Sequence, residues 1–331
     1  VRPDVQRWLA RRTWAASDWT PQALVAAKGS TRVSVVLPAL DEQDTIGDIV
    51  RAVRGRLMDE TGLVDELVVV DSGSSDATAE RARAEGANVW HRSQILPELE
   101  SLPGKGEALW RSLAATSGDV VVFVDSDLQG FDASNVAGLL GPLLTDPSVA
   151  LVKALYDRPL LHGDQVMPAG GGRVTELVAR PLINLHWPEL AGVVQPLAGE
   201  YAARRSLLET LVFPTGYGVE LAVLIDTLTA AGLDSIAQVD LGTRRHRHQS
   251  DGRLGLMASE IIQVALRRLE ADGRIHLRGP LNPTMAQFSR APGSTRTPEV
   301  TTYDVELVER PPMVTVPGYR AARAARDSQA S

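Results

Sequence analysis

Two carboxylates one residue apart, Asp125-Ser126-Asp127, follow the apolar run Val120 to Val124. At the exit of a strand, that spacing offers oxygen ligands to a hard divalent cation. Mg2+ or Mn2+ takes such ligands and completes its shell with waters and phosphate oxygens. A bland acidic turn carries the same letters, so the strand in front of the motif is what gives it weight. A second candidate is the run Arg244-Arg245-His246-Arg247-His248. An imidazole there would complete a metal site while guanidinium forks neutralise phosphate. The alternative is a solvated basic strand end.

Gly104-Lys105-Gly106-Glu107 opens a helix. Helix N-termini favour anions, and a lysine there reaches a diphosphate. This is not a Walker A loop: position 99 is Leu where Gly is required, and Gly106 stands where Ser or Thr should follow the lysine. No G-x-G-x-x-G follows the first strand, which disfavours a dinucleotide site. Gly170-Gly171-Gly172-Arg173-Val174-Thr175 reads as a second anion pocket, separate from the metal, in which backbone N–H groups, the Arg173 fork and the Thr175 hydroxyl donate. A flexible loop with an exposed arginine is the rival reading. Tyr217 and Glu220 are three apart and are predicted to share a helix face, with Glu220 as general base, orienting group or salt-bridge partner.

The elements that must hold these residues alternate. Strands are predicted at Val33–Leu37 (stopped by Pro38), Glu66–Val70, Asn88–Trp90, Asp119–Val124, Ala150–Leu155 and Ser235–Leu241. Helices are predicted at Thr45–Met58, Ala77–Ala84 (capped by Asp76), Lys105–Ala115, Arg173–Ile183 with Pro181 near its stop, Tyr217–Ala231 and Ser259–Glu270. Strands apolar on both faces imply a mainly parallel sheet covered on both sides, with ligands beyond the strands' carboxyl ends. Residues 1–31 form an arm in which Trp8, Trp14 and Trp19 pack on the body or on a partner. A loop is predicted from Asp157 to Gly172, and an extended tail after Gly279. Arm and tail lack a periodic core of their own and are expected to pack across a homodimer.

Composition narrows the chemistry. The 331 residues contain no cysteine, which excludes disulfide scaffolds, thiolate metal sites and cysteine nucleophiles. The net charge of −7 argues against nucleic acid as a partner. No apolar run is long enough for a membrane span, and no apolar segment follows Arg11-Arg12 as a signal peptide would require, so a cytoplasmic protein is expected.

Val33 to Glu42 and Asp71 to Thr78 resemble the opening of GT-A glycosyltransferases. Pro103 to Trp110, Asp125-Ser126-Asp127, Gly170 to Leu177 and Gly216 to Glu220 resemble more closely the actinobacterial glucosyl-3-phosphoglycerate synthases and the related mannosyl-3-phosphoglycerate synthases. The resemblance runs from Val33 to His248 and is weaker over the arm and tail. It implies an α/β GT-A fold: a mainly parallel, Rossmann-like sheet flanked by helices. Residues 32–130 would form the nucleotide-sugar half, 131–255 the acceptor half, and 256–331 a C-terminal helix and tail. It implies retaining, metal-dependent transfer of glucose or mannose from a UDP- or GDP-linked sugar to 3-phosphoglycerate. Pro38, Ala39, Leu40, Glu42 and Ser72 would hold base and ribose. Lys105, Asp125, Ser126 and Asp127 would meet the rest of the donor, with Asp127 and His246 on Mg2+ or Mn2+. Gly172, Arg173, Thr175, Tyr217 and His248 would bind the acceptor, with Glu220 beside them. Lys105, Asp127 and Glu220 are the expected catalytic set. Asp41 and His248 stand where mycobacterial members carry Asn, which leaves sugar and base open. The rivals are a sugar-phosphate nucleotidyltransferase and a non-catalytic nucleotide-sugar-binding regulator.

Overall fold

The computed structural model describes residues 2–157, 160–162, 165–167, 172–243, 251–290 and 297–330. Its strands are β1 (Thr13–Ala15), β2 (Val33–Ala39), β3 (Glu66–Asp71), β4 (Asn88–His91), β5 (Val120–Phe123), β6 (Leu151–Asp157), β7 (Leu160–His162), β8 (Gln165–Met167), β9 (Tyr201–Arg204), β10 (Phe213–Pro214), β11 (Ile236–Thr243), β12 (Thr284–Ser289), β13 (Glu299–Asp304) and β14 (Glu309–Arg310). Eight of them form one sheet in the order β1-β11-β6-β9-β5-β2-β3-β4. Every neighbouring pair is parallel except those made by β9, which is antiparallel to β5 and β6.

Alternation along each strand feeds two apolar layers. Val36, Val68, Val70, Val121 and Phe123 face one layer, with Ala108, Leu109 and Leu113 of the helix Lys105–Ala115. Val35, Leu37, Val69, Val120 and Val122 face the other, with Ile46, Ile49, Val50 and Val53. Those last four are spaced three and four apart, so the helix Ile46–Val53 presents one apolar face. The helix predicted over Thr45–Met58 continues past it as a wider turn, Arg54–Asp59.

Pro38 does not stop β2, which runs on to Ala39 with Pro38 opposite Val70 of β3. β5 pairs with β2 only as far as Val36, so at Pro38 one side of the strand asks for no ladder N–H. Pro181 likewise is not a stop. The chain turns through the wide helical segment Thr175–Ala179 and continues as the helix Arg180–His186, with Pro181 in its first turn. Proline has no N–H to give, and the wider turn before it takes up the register change. The region read as a loop from Asp157 to Gly172 holds the antiparallel pair β7–β8.

The arm and tail pack on their own chain. The helix Pro3–Arg12 buries Trp8, whose Nε1 donates to the Ile236 carbonyl at 2.8 Å, and β1 adds the sheet's edge beside β11. Trp14 and Trp19 lie ring to ring at 5.8 Å. The tail is not extended and featureless. β12 and β13 form a hairpin, β14 pairs with β10, and Met313 and Tyr319 are buried in the core. The helix Pro317–Ala330 follows. The sequence hid this because the tail's strands are short and β14 finds its partner, β10, far back in the chain. Among the described residues, no helix is long and apolar enough to cross a membrane.

Candidate active site

β2, β3, β5 and β11 run in one direction, so their carboxyl ends open on one edge. The loops there are laced together. Asp41 is left-handed at φ 57°, a conformation Asp tolerates. Its N–H donates to Ser74 Oγ at 3.0 Å, and its carboxylate accepts the Ser75 N–H at 2.7 Å. Ser72 N–H donates to the Ala39 carbonyl at 2.9 Å, Glu42 N–H to Thr78 Oγ1 at 2.7 Å, and Ser126 Oγ to the Pro38 carbonyl at 2.8 Å. The segments carrying Pro38, Ala39, Leu40, Glu42, Ser72, Ser126 and Asp127 are therefore one shelf. Leu40 stands 53% exposed on it, while Ala39 and Ser126 are buried and Asp127 is half-buried. Asp76 accepts the Thr78 N–H at 2.9 Å, so it ties off the helix Thr78–Ala84 one residue later than predicted.

Lys105 is the first residue of its helix, and its Nζ bridges two carboxylates, Asp125 Oδ1 at 2.6 Å and Glu220 Oε1 at 2.8 Å. Desolvation pulls the ammonium's pKa down. Asp125, and then Glu220, override it and hold the group well above the ordinary lysine range. Two of the three ammonium N–H donors are thereby engaged. Gly199 lines the other side: a Cβ there would lie 2.3 Å from both Asp125 carboxylate oxygens and from Lys105 Nζ, so only glycine lets the backbone come this close. Gly104, at φ 112°, turns the chain into the helix against Thr215, whose carbonyl accepts the Glu107 N–H at 3.0 Å.

Tyr217 and Glu220 do not share a helix face. The helix is Val219–Ala231, with Gly218 as its cap, so Tyr217 lies in the turn before it. Tyr217 is 37% exposed and Glu220 is buried. The Tyr217 N–H donates to Glu260 on the helix Asp251–Ala271. Burial, opposed by that bond and joined by the field of Glu220, raises the Glu260 pKa. Gly172, at φ 82°, and exposed Arg173 begin the helical stretch, and Thr175 is buried in its wide turn. That turn packs on the helix Asp251–Ala271, which packs on Val219–Ala231. The Arg173 segment thus reaches the Glu220 helix through one intermediary. Gly170, Gly171 and the Arg244–His248 run, with His246 and His248, lie outside the described residues. Among the described residues, no three His, Asp or Glu side chains gather as a metal-binding group.

Sequence reasoning missed Gly199, β9 with Tyr201, and Glu260. A glycine just ahead of the apolar run Tyr201-Ala202-Ala203 was the available signal for the first two.

The profile of glycosyl transferase family 2 matches residues 34–159. A glucosyl-3-phosphoglycerate synthase from Mycolicibacterium paratuberculosis is 50% identical over 315 residues, covering 92% of this chain and 91% of its own. The chain belongs to the glucosyl-3-phosphoglycerate synthase family. The glucosyl-3-phosphoglycerate synthase of Mycobacterium tuberculosis, solved with Mn2+, uridine diphosphate and glucosyl-3-phosphoglycerate, has a TM-score of 0.80 at 48% identity, over 92% of this chain and 99% of that one. A mannosyl-3-phosphoglycerate synthase from Rubrobacter xylanophilus has a TM-score of 0.85 at 38% identity, over 94% and 98%. The fold is that of the GT-A glycosyltransferases, a mostly parallel sheet flanked by helices. Family similarity at this coverage takes in most of the tail, where the resemblance was expected to be weaker.

Proposed function

We propose that this chain is a metal-dependent, retaining hexosyltransferase that moves glucose from UDP-glucose to 3-phosphoglycerate. The observation that carries the reading is the match, at about half identity along nearly the whole chain, to relatives named for that activity. Mannose from a GDP-linked sugar is the second reading, favoured by the TM-score of 0.85 to the mannosyl-3-phosphoglycerate synthase. The reading places the enzyme in the cytoplasm, where phosphorylated three-carbon acids occur.

The donor shelf supports base and ribose at Pro38, Ala39, Leu40, Glu42 and Ser72. Asp125 is engaged by Lys105, and Asp127 at the shelf's rim offers the oxygen chemistry a hard cation takes. Asp127, with His246, would hold Mg2+ or Mn2+. Such an ion, when bound, neutralises charge on the diphosphate. Lys105, paired at rest with Asp125 and Glu220, turns its ammonium to the same oxygens. Gly172, Arg173 and Thr175 clamp the acceptor's anionic groups, with Tyr217 and His248 beside them, and so place its hydroxyl. The hydroxyl oxygen bonds to the anomeric carbon, the bond from that carbon to the diphosphate breaks, and the proton leaves with the diphosphate. Glu220 is buried in an ion pair with Lys105 and holds that lysine rather than collecting the proton.

The test is product identification by mass after incubation with Mg2+ and each common nucleotide sugar, with and without 3-phosphoglycerate. A hexosyl-phosphoglycerate formed only with the acceptor supports the reading. Pyrophosphate made from a sugar phosphate and a nucleoside triphosphate would establish the nucleotidyltransferase instead. Donor binding without turnover would leave a regulator.

A further inference from the structure

Tyr201 on β9 is wholly buried, and among the described residues its hydroxyl has no hydrogen-bond partner. A buried tyrosine O–H normally finds one. The ring cannot turn away to seek it, because Phe123 packs on it at 4.8 Å between centroids and Lys153 Nζ sits 4.8 Å from the ring centre. Tyr201 pairs directly with Phe123 across the antiparallel β5–β9 ladder. Asp125 lies two residues beyond Phe123, and Gly199 two residues before Tyr201. The Lys105 ammonium rests over Gly199. The pairing therefore brings Tyr201 up beside the Lys105–Asp125–Glu220 cluster, within the reach that diagonal neighbours have in a sheet. The electrostatics agree: burial holds the phenol's pKa well above the ordinary tyrosine value, the charge of Glu220 and then that of Asp125 add to the rise, and Lys105 opposes it. The hydroxyl stays a donor.

The two carboxylates of the cluster are not equally placed. The Glu220 side chain is 5% exposed and that of Asp125 22%. If Lys105 swings toward a diphosphate, Asp125 still meets solvent or ligand, but Glu220 is left as a buried charge without a partner, which is the costly case.

We propose that Tyr201 is a positioning residue whose hydroxyl donates a hydrogen bond to Glu220 when Lys105 turns its ammonium to the sugar donor's diphosphate. The clause about the diphosphate rests on the hexosyltransferase reading. The exchange between Lys105 and Tyr201 on Glu220 does not. It makes the movement of Lys105 cheap, so its loss is felt in turnover and not in the resting fold.

Two measurements on the full chain test it. Tyr201→Phe removes only an oxygen that has no hydrogen-bond partner among the described residues. Its thermal midpoint should equal or exceed that of the parent, while kcat/KM for the donor falls about ten- to a hundredfold, the range of one charge-assisted hydrogen bond. The second is a cycle of unfolding midpoints with Lys105→Met, which needs no substrate. With the lysine gone, Tyr201 is already on Glu220, so Tyr201→Phe should lower the midpoint in that background though not in the parent. An equal change in both backgrounds overturns the proposal. So does an unchanged kcat/KM in an enzyme that does transfer hexose. If the parent transfers no hexose to 3-phosphoglycerate, the functional reading fails and the cycle still decides the exchange. Lys105→Gln replaces Lys105→Met if the latter does not fold, and if neither folds, the kinetics of Tyr201→Phe decide.

Discussion

Two ion clusters begin two residues apart on one helix and are built as opposites. Lys105 is a cation between two acids, on the open edge of the sheet. Glu107 is an acid between two arginines and is fully buried. Arg111 Nε reaches it at 2.6 Å, Arg310 of β14 grips both of its oxygens at 2.7 and 2.8 Å, and the Leu102 N–H adds a fourth bond. Arg310 also lies 5.2 Å from the Trp110 ring, and Trp110 Nε1 donates to the Pro311 carbonyl at 2.8 Å. Oε1 of Glu107 takes three of these bonds and Oε2 one, and the two from Arg310 tie the tail to the helix. Among the described residues, Lys105 keeps one donor without a partner, and its side chain is 19% exposed. Saturation marks the structural cluster, and an unspent donor at the carboxyl edge marks the one built for a ligand.

The largest expected effect tests the open edge. Asp127→Ala, or chelation of the parent enzyme, should cost about a thousandfold or more in turnover, since a metal is worth several kcal/mol of charge stabilisation. Readdition of Mg2+ or Mn2+ should restore the chelated parent only, and circular dichroism should show both proteins folded. Full activity after exhaustive chelation would remove the metal from the reaction.

Glu107→Gln should invert that pattern. Breaking a buried charge cluster typically costs about 3–5 kcal/mol of stability, read by urea unfolding. Burial raises the Glu107 pKa, but hydrogen bonds from Arg310 and Arg111 outweigh it, and the net shift is downward from 4.5. A depressed carboxylate stabilises the fold above its unfolded pKa and loses that contribution as pH falls through its folded value. The parent should therefore shed stability below about pH 4.5 more steeply than Glu107→Gln does. Equal slopes would show that Glu107 is not the anchor.

Arg173→Ala should raise the KM for 3-phosphoglycerate about ten- to a hundredfold, for a lost charge-assisted hydrogen bond, and leave donor affinity nearly unchanged. Calorimetry with nucleotide sugar and metal, set beside acceptor kinetics, checks this. Collapse of donor binding with an unmoved acceptor KM would reverse the two assignments.

The smallest effect belongs at the surface, far from both clusters. Asp146 has its pKa lowered to about 2 by hydrogen bonds from Ser148 and Arg12. Its side chain is 38% exposed, so Asp146→Asn should cost less than about 1 kcal/mol by urea unfolding, in full above about pH 4 and fading as pH falls toward about 2.

The open edge was far more legible in the sequence than the saturated cluster. Val35–Leu37, Leu67–Val70 and Val120–Val124 are apolar runs followed within a few residues by acids and serines, and topology alone sends such ends to one edge. Lys105 announced itself by opening a helix behind a glycine. Glu107 and Arg310 are 203 residues apart in sequence, and no local period joins them. β9 escaped because a four-residue antiparallel strand wedged between parallel neighbours carries no crossover pattern. Tyr217 was placed on a helix because i to i+3 spacing continues a helical pattern backwards through Gly218, where the chain instead turns. Local pattern exposes what neighbouring residues do, and it is silent where the fold joins distant ones.

The contrast between the two clusters is tested most directly by one side-by-side measurement of hexose transfer to 3-phosphoglycerate. Lys105→Met and Glu107→Gln are assayed at saturating Mg2+ and at a temperature where circular dichroism shows both folded. The expected result is a loss of about a hundredfold or more in kcat/KM for Lys105→Met, the scale of a charge-assisted contact to a diphosphate. Folded Glu107→Gln should stay within a few-fold of the parent. Near-parental turnover by Lys105→Met would contradict the assignment of the open edge as the catalytic centre.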